Sequence, residues 1–247
     1  MKNICVVGVG NMGAAIIETL KSFSDFKIFK CDKNDNPNKF TDKCDIFIIA
    51  VKSQVFKGLC SSLKNGLNGK LVISIMAGVS LKKLQKGLKT KKIVRVMPNL
   101  PLKVNESLSG WIATKDVSIP EEKFVQKILK CFGKEIKLKN ENKIDEITAL
   151  AGCGPAYFYL LTGLICNKAM KLGFSKELAE KIANQVFTGS AKLLSKTNLS
   201  AHELLPKIAS KGGTTEVALK YMMGNKIDKI VEKAIDNSIN RAKELNN

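Results

Sequence analysis

Apolar residues fall in short unbroken runs through the first part of the chain. Asn3-Ile-Cys-Val-Val7 is one run, closed by Gly8, and Ala14 to Ser22 follows with helical spacing. Lys27 to Cys31 reads as a second strand. Cys44 to Val51 and Leu71 to Met76 are two more strand-length runs, Ile93 to Met97 continues the series, and Ile136 to Leu138 closes it. Runs without polar alternation suit strands covered on both faces. Strands separated by helices predict βαβ units and a mostly parallel sheet.

Past about residue 143 the strand pattern stops. Pro155 to Leu172, Lys176 to Leu194, Ala201 to Ala209, Thr215 to Met223 and Ile227 to Leu245 all read as helices. Pro155 suits a first helical turn, Gly173 a helix C-terminus, and Ser200-Ala-His-Glu203 is a capping box. The expected organisation is an α/β domain over 1–145 and an all-α domain over 146–247. The longest uncharged stretch, Ile147 to Asn167, is nominally long enough to cross a bilayer. Gly152-Cys-Gly-Pro155 is expected to break it, leaving a buried helix of about a dozen apolar residues rather than a membrane span.

Charge alters this picture little. The chain of 247 residues has 41 Lys+Arg against 22 Asp+Glu, a formal net charge of +19, yet Arg95 and Arg241 are its only arginines. Sequence readers of nucleic acid favour arginine forks and cluster their basic residues. Lysines spread along the whole chain instead predict a solvated surface whose positive field draws small anions. Seven cysteines without a CxxC pair, and His202 as the one histidine, leave no metal-ligand spacing. An odd set of thiols fits a reducing cytoplasm. No secretory leader is expected, because Met1-Lys2-Asn3 runs straight into a glycine-rich turn.

That turn is Gly8-Val9-Gly10-Asn11-Met12-Gly13, directly after the first strand and opening the first helix. Glycines at this spacing allow the tight turn, close approach of a pyrophosphate and helix–strand packing, while the helix N-terminus attracts the anion. The context predicts a Rossmann-type dinucleotide-binding domain. Asp32 lies 19 residues after Gly13, where an acid binds a ribose 2′-hydroxyl, but it is embedded in Lys30-Cys31-Asp32-Lys33. The two lysines equally suit a 2′-phosphate, so NADPH and NADH both stay open, with a lean to NADPH through Lys33.

A second motif, Ser210-Lys-Gly-Gly-Thr-Thr215, precedes a helix. Two glycines and two hydroxyls at a helix start can cradle a carboxylate; the plainer reading is a Thr N-cap. Met97-Pro-Asn-Leu-Pro101 ends a strand at the edge where open α/β folds bind ligands. His202 reads as a solvated residue of its capping box, and the thiols as small buried hydrophobes.

With these motifs placed, the chain resembles the pyrroline-5-carboxylate reductases over essentially its whole length. The resemblance rests on Gly8 to Gly13, Ile49-Ala-Val-Lys52, Ser74 to Ser80 and Val94 to Asn99. It continues through Ile147 to Tyr157 and Ser210 to Thr215. It implies a Rossmann domain, a helical dimerisation domain, and an active site completed by the partner subunit. At matching positions, Gly8 to Gly13 and Ala50-Val51-Lys52 contact the cofactor, and Cys31 and Lys33 at the end of the second strand are the further cofactor candidates. Ser210, Gly212, Gly213 and Thr214 hold the substrate carboxylate, Thr215 brings its hydroxyl to the imine nitrogen as the catalytic group, and Glu141 lies near the substrate. The family usually has serine where this chain has Ala151 and Cys153, threonine at Leu100, and proline at Ser53 and Lys211. None of these changes removes a group assigned to chemistry.

The implied reaction is hydride transfer to the C=N carbon of 1-pyrroline-5-carboxylate, the last step of proline biosynthesis. An iminium is already electrophilic, so orientation and carboxylate anchoring suffice, which suits a site with neutral hydroxyls and no histidine. A β-hydroxyacid dehydrogenase using Lys168 or Lys171 is a rival that leaves the Gly-Gly-Thr-Thr motif unexplained. A basic nucleic-acid or nucleotide-sensing protein is a second rival, opposed by the lysine spread. The expected state is a homo-oligomer, at least a dimer, with no nucleic-acid or membrane partner, because Ala156 to Cys166 is uncharged on every side and needs burial on every side.

Overall fold

A computed structural model describes residues 1–63 and 66–246. Among these described residues seven strands form one sheet: β1 (Lys2–Val7), β2 (Phe26–Cys31), β3 (Ile46–Ile49), β4 (Leu71–Ser74), β5 (Ile93–Met97), β6 (Ser107–Ala113) and β7 (Gly133–Lys137). Their order is β2-β1-β3-β4-β5-β6-β7, parallel throughout except where β6 runs antiparallel to β5. Alternate strand residues feed two cores. Ile4, Val6, Ile48, Ile73 and Val96 pack on one face with helices α1 (Asn11–Lys21) and α4 (Ile119–Phe132). Cys5, Val7, Phe47, Ile49 and Val72 pack on the other with α3 (Leu81–Leu88), whose neighbour in the chain is α2 (Phe56–Ser62). Burial on both faces explains the apolar runs.

Strand β6 was invisible as a hydrophobic pattern because its buried positions are partly polar. Ser107 and Ser109 are buried with their hydroxyls 3.3 Å apart, and Gly110 lies so close under Ile147 that a Cβ there would stand 2.6 Å from its Cγ2. Helix α4 starts with a full capping box, Ser118 with Glu121, and returns the chain from β6 to a parallel β7.

The chain then turns helical: α5 (Asn142–Ile147), α6 (Gly154–Lys171), α7 (Lys176–Lys196), α8 (Ala201–Ile208), α9 (Thr214–Gly224) and α10 (Ile227–Asn246). The predicted capping box at Ser200 and the left-handed Gly173, φ 93°, are both present. Gly152-Cys-Gly-Pro155 does not break the helix as expected. Thr148–Gly152 widens into a π turn, closed by the Cys153 N–H on the Thr148 carbonyl at 2.8 Å, and helix resumes at Gly154. A π turn absorbs the lost regularity without ending the helix.

Within the single chain this helix is not covered. Asn142–Lys171 spans 30 residues and contains an 18-residue window of mean hydropathy 1.5, enough by length and composition to cross a membrane, but Phe158, Leu160 and Leu164 are 54%, 64% and 55% exposed. One chain has too little surface to cover a helix apolar on every side.

By contacts the chain divides into two compact units, residues 1–153 with 237–246, and residues 154–236. In the first, the end of α10 packs home: Ser238 Oγ lies 3.5 Å from Cys153 Sγ, and Leu245 sits against Gly78. In the second, α6 and α7 pair, with the Phe158 and Phe187 rings 5.8 Å apart.

Candidate active site

The three glycines of the first turn have three different physical reasons. Gly8 takes φ 95°, and its N–H donates to the Cys31 carbonyl at 2.8 Å. A Cβ on Gly8 would stand 2.8 Å from Val51 Cγ1 and 2.9 Å from the Ala50 oxygen. Gly13 lets α1 press on that turn, since a Cβ there would fall 1.9 Å from the Gly8 oxygen. Gly10 is the N-cap of α1 and has nothing within 4 Å of where a Cβ would be. Two glycines close the turn from behind, and the third leaves its front open. Asn11 and Met12 follow in the first helical turn, where backbone N–H groups have no partner within the helix.

The open side faces a cleft of about 600 Å³. Gly8, Val9, Gly10, Cys31, Lys33, Ala50, Val51 and Lys52 all line it. Asn11, Met12 and Gly13 do not line it; Gly13 is buried behind the turn. The absence of a side chain at Gly10, an N-terminal helix end and two lysines fit the phosphates of a dinucleotide.

At the tip of β2 two acids meet the same cleft. Asp32 Oδ1 accepts the Lys33 N–H at 2.8 Å, and Asp35 Oδ2 accepts the Asp32 N–H at 2.8 Å. Sequence reasoning named Asp32 and missed Asp35; its only sequence signal was the acidic Asp32-Lys-Asn-Asp35 turn after a strand. The Cys31 thiol is held below the ordinary thiol range because it accepts a hydrogen bond from Cys5, whose own thiol is pushed up.

Glu141 lies in a buried charge cluster. Its Oε1 accepts from Arg95 Nη1 at 2.8 Å and from the Leu81 N–H at 2.7 Å, while Arg95 Nη2 reaches Asp145 Oδ1 at 3.3 Å. One carboxylate thus ties β5, α5 and the start of α3 together. Asn99, in the proline-bracketed turn, is buried and structural: its amide donates to the Ala151 carbonyl at 3.0 Å and its carbonyl accepts the Leu108 N–H at 3.2 Å.

The second motif lies in the other unit. Ser210 begins it, Gly212 takes φ 75°, and the Gly213 N–H donates to the Ser210 carbonyl at 3.0 Å. Gly213, not Thr215, is the N-cap of α9; Thr214 and Thr215 are its first two helical residues. The plain Thr N-cap reading is therefore corrected, since a residue already inside the helix cannot cap it. A Cβ on Gly213 would come 2.6 Å from Ser210 Oγ and 3.0 Å from the Ser210 carbonyl oxygen, so any side chain there would make the Ser210 hydroxyl turn away. Sequence reasoning also missed Glu216, whose Oε2 accepts the Gly212 N–H at 2.7 Å. Lys168 and Lys171, the lysines of the dehydrogenase rival, stand in the last turn of α6, where cations suit the helix end. His202 is exposed beside its capping box.

A family model described as pyrroline-5-carboxylate reductase dimerisation matches residues 141–245, and one described as NADP oxidoreductase, coenzyme F420-dependent, matches residues 24–78. The pyrroline-5-carboxylate reductase of Pseudomonas aeruginosa is 31% identical over 262 residues, covering 98% of this chain and 96% of that one. That of Aquifex aeolicus is 33% identical over 257 residues, covering 97% and 96%. Among solved structures, the Plasmodium falciparum pyrroline carboxylate reductase with NADP bound superposes with a TM-score of 0.88 at 27% identity, covering 100% of this chain and 98% of that one. With this identity sustained over nearly the full length of both chains, the protein belongs to the pyrroline-5-carboxylate reductase family.

Proposed function

We propose that this chain reduces 1-pyrroline-5-carboxylate to L-proline, with NADPH as the favoured donor and NADH accepted. The observation that carries the reading is the Gly8–Gly13 turn, which is closed by backbone contact behind and open at Gly10 on a cleft of about 600 Å³. The Plasmodium falciparum relative was solved with NADP bound, and Lys33 and Lys52 in the cleft supply positive charge for a phosphate. The dinucleotide, when bound, supplies a hydride to the C=N carbon.

The chain's own residues bind and orient. Gly8, Val9, Gly10 and the first-turn amides of α1 hold phosphate, with Cys31, Ala50 and Val51 forming apolar wall. Ser210, Gly212, Gly213 and Thr214 seat the substrate carboxylate, and the Thr215 hydroxyl hydrogen-bonds the ring nitrogen. The imine carbon is electrophilic once the nitrogen is protonated. No strong acid or base is then required of the protein, and a fixed geometry supplies most of the acceleration. We assign Glu141 to holding β5, α5 and the start of α3 together through Arg95 and the Leu81 N–H, not to the reacting atoms.

The same reading takes 1–145 as the dinucleotide domain and 146–247 as the dimerisation and substrate-binding domain. Two copies of the chain covering each other's α6 would bury Phe158, Leu160 and Leu164. All seven cysteines are free, as suits a cytoplasmic enzyme. Steady-state consumption of NADPH and of NADH in parallel with 1-pyrroline-5-carboxylate, and formation of NADPH and NADH from NADP+ and NAD+ with a panel of 2- and 3-hydroxyacids, tests the assignment. Turnover confined to hydroxyacids overturns it in favour of the dehydrogenase reading.

A further inference from the structure

The Ser210–Thr215 loop is held at each of its glycines by a different hand. The Gly213 N–H is taken by the Ser210 carbonyl at 3.0 Å, and the left-handed Gly212 has its N–H taken by Glu216 Oε2 at 2.7 Å. Glu216 is the third residue of α9, and its other oxygen lies 3.0 Å from Lys220 Nζ one turn further on. The N-cap, Gly213, has no side chain with which to fix the loop. Among the described residues, the fold therefore fixes Gly212 through Glu216.

We propose that Glu216 is a positioning residue for the substrate carboxylate, holding Gly212 so that the Thr214 and Thr215 amides stay presented at the start of α9, and that Lys220 neutralises it. This deepens the reading of the loop as a carboxylate cradle and rests on that reading. The first-turn amides of a helix have no acceptor within the helix, so an anion is their natural partner. A carboxylate fixed beside them would repel a second carboxylate, and the Lys220 ammonium at 3.0 Å cancels that repulsion. The Gly212 and Lys220 contacts also hold the Glu216 carboxyl below its ordinary range, so it stays ionised at neutral pH. Seating of the carboxylate is common to bound substrate and transition state, so its loss raises KM and spares kcat.

The test compares two substrates, 1-pyrroline-5-carboxylate and 1-pyrroline, which lacks the carboxylate, on the full chain. Glu216→Ala is expected to raise KM for the carboxylated ring about tenfold, with kcat and the KM for NADPH within about twofold. For 1-pyrroline its kcat/KM stays within about twofold of wild type. Glu216→Gln keeps an oxygen for the Gly212 N–H and restores KM to within about threefold. Lys220→Ala leaves the Glu216 charge exposed and raises KM about threefold, an effect that fades in roughly 0.5 M salt. Equal losses for both rings, or an unchanged KM in Glu216→Ala, overturn the inference. A wild-type enzyme that reduces both rings with equal kcat/KM overturns the cradle reading itself, and one that reduces neither overturns the proposed function.

Discussion

Replacing Gly10 by alanine separates binding of the dinucleotide from folding of the turn. Gly10 has φ −74° and ψ −170°, which alanine adopts freely, and its Cβ would meet nothing within 4 Å. The expected cost to stability is that of a poorer N-cap, up to about 1 kcal/mol, or a melting shift of roughly 2–4 °C for a chain of this size. The methyl group would stand where a pyrophosphate must approach the α1 amides. Affinity for NADPH is expected to fall at least tenfold, about 1.4 kcal/mol or more. Gly13→Ala is the contrast. Its Cβ falls 1.9 Å from a backbone oxygen, so α1 must move. Stability drops by about 1–3 kcal/mol together with binding. Thermal melts and fluorescence titration with NADPH on the same preparations read both quantities. A Gly10→Ala protein that binds NADPH as tightly as wild type would show that the pyrophosphate does not approach at Gly10.

Thr215→Ala is expected to lower kcat roughly ten- to a hundredfold, about 1.4–2.7 kcal/mol on the barrier, while its melting point barely moves, because Gly213 and not Thr215 caps α9. A stability loss with unchanged kinetics would end the catalytic assignment. Lys33→Ala should raise KM for NADPH and leave that for NADH nearly unchanged; an equal effect on both removes Lys33 from the 2′-phosphate. Glu141→Ala strips Arg95 of one partner and the Leu81 N–H of its acceptor. It should cost about 2–3 kcal/mol, seen as a melting point lower by roughly 5–10 °C. An unchanged melting point with a raised KM for the substrate would place Glu141 at the substrate after all.

The dinucleotide turn was legible because its chemistry demands glycine at fixed spacing directly after a strand, and the covered strands were legible because both their faces are apolar. Part of what escaped was governed by partners far away in the chain. Strand β6 buries Ser107, Ser109 and Gly110, whose fit depends on Asn99 and Ile147 and leaves no hydrophobic trace. Glu141 is tied to Arg95, 46 positions away; no local pattern announces such a pair. Glu216 looks like an ordinary first-turn acid until the left-handed Gly212 turns its N–H toward it. At Gly152–Pro155, breaking residues next to a helix predict its end, whereas a π turn lets the helix continue.

Reduction by this chain requires that a hydride pass to the imine carbon of a five-membered ring. It is tested most directly with NADPH deuterated at the transferring position of nicotinamide C4 and 1-pyrroline-5-carboxylate. The product should be L-proline carrying one deuterium, on the ring carbon that had been double-bonded to nitrogen. Proline formed without deuterium, or NADPH left unconsumed by the pure protein, would contradict the account.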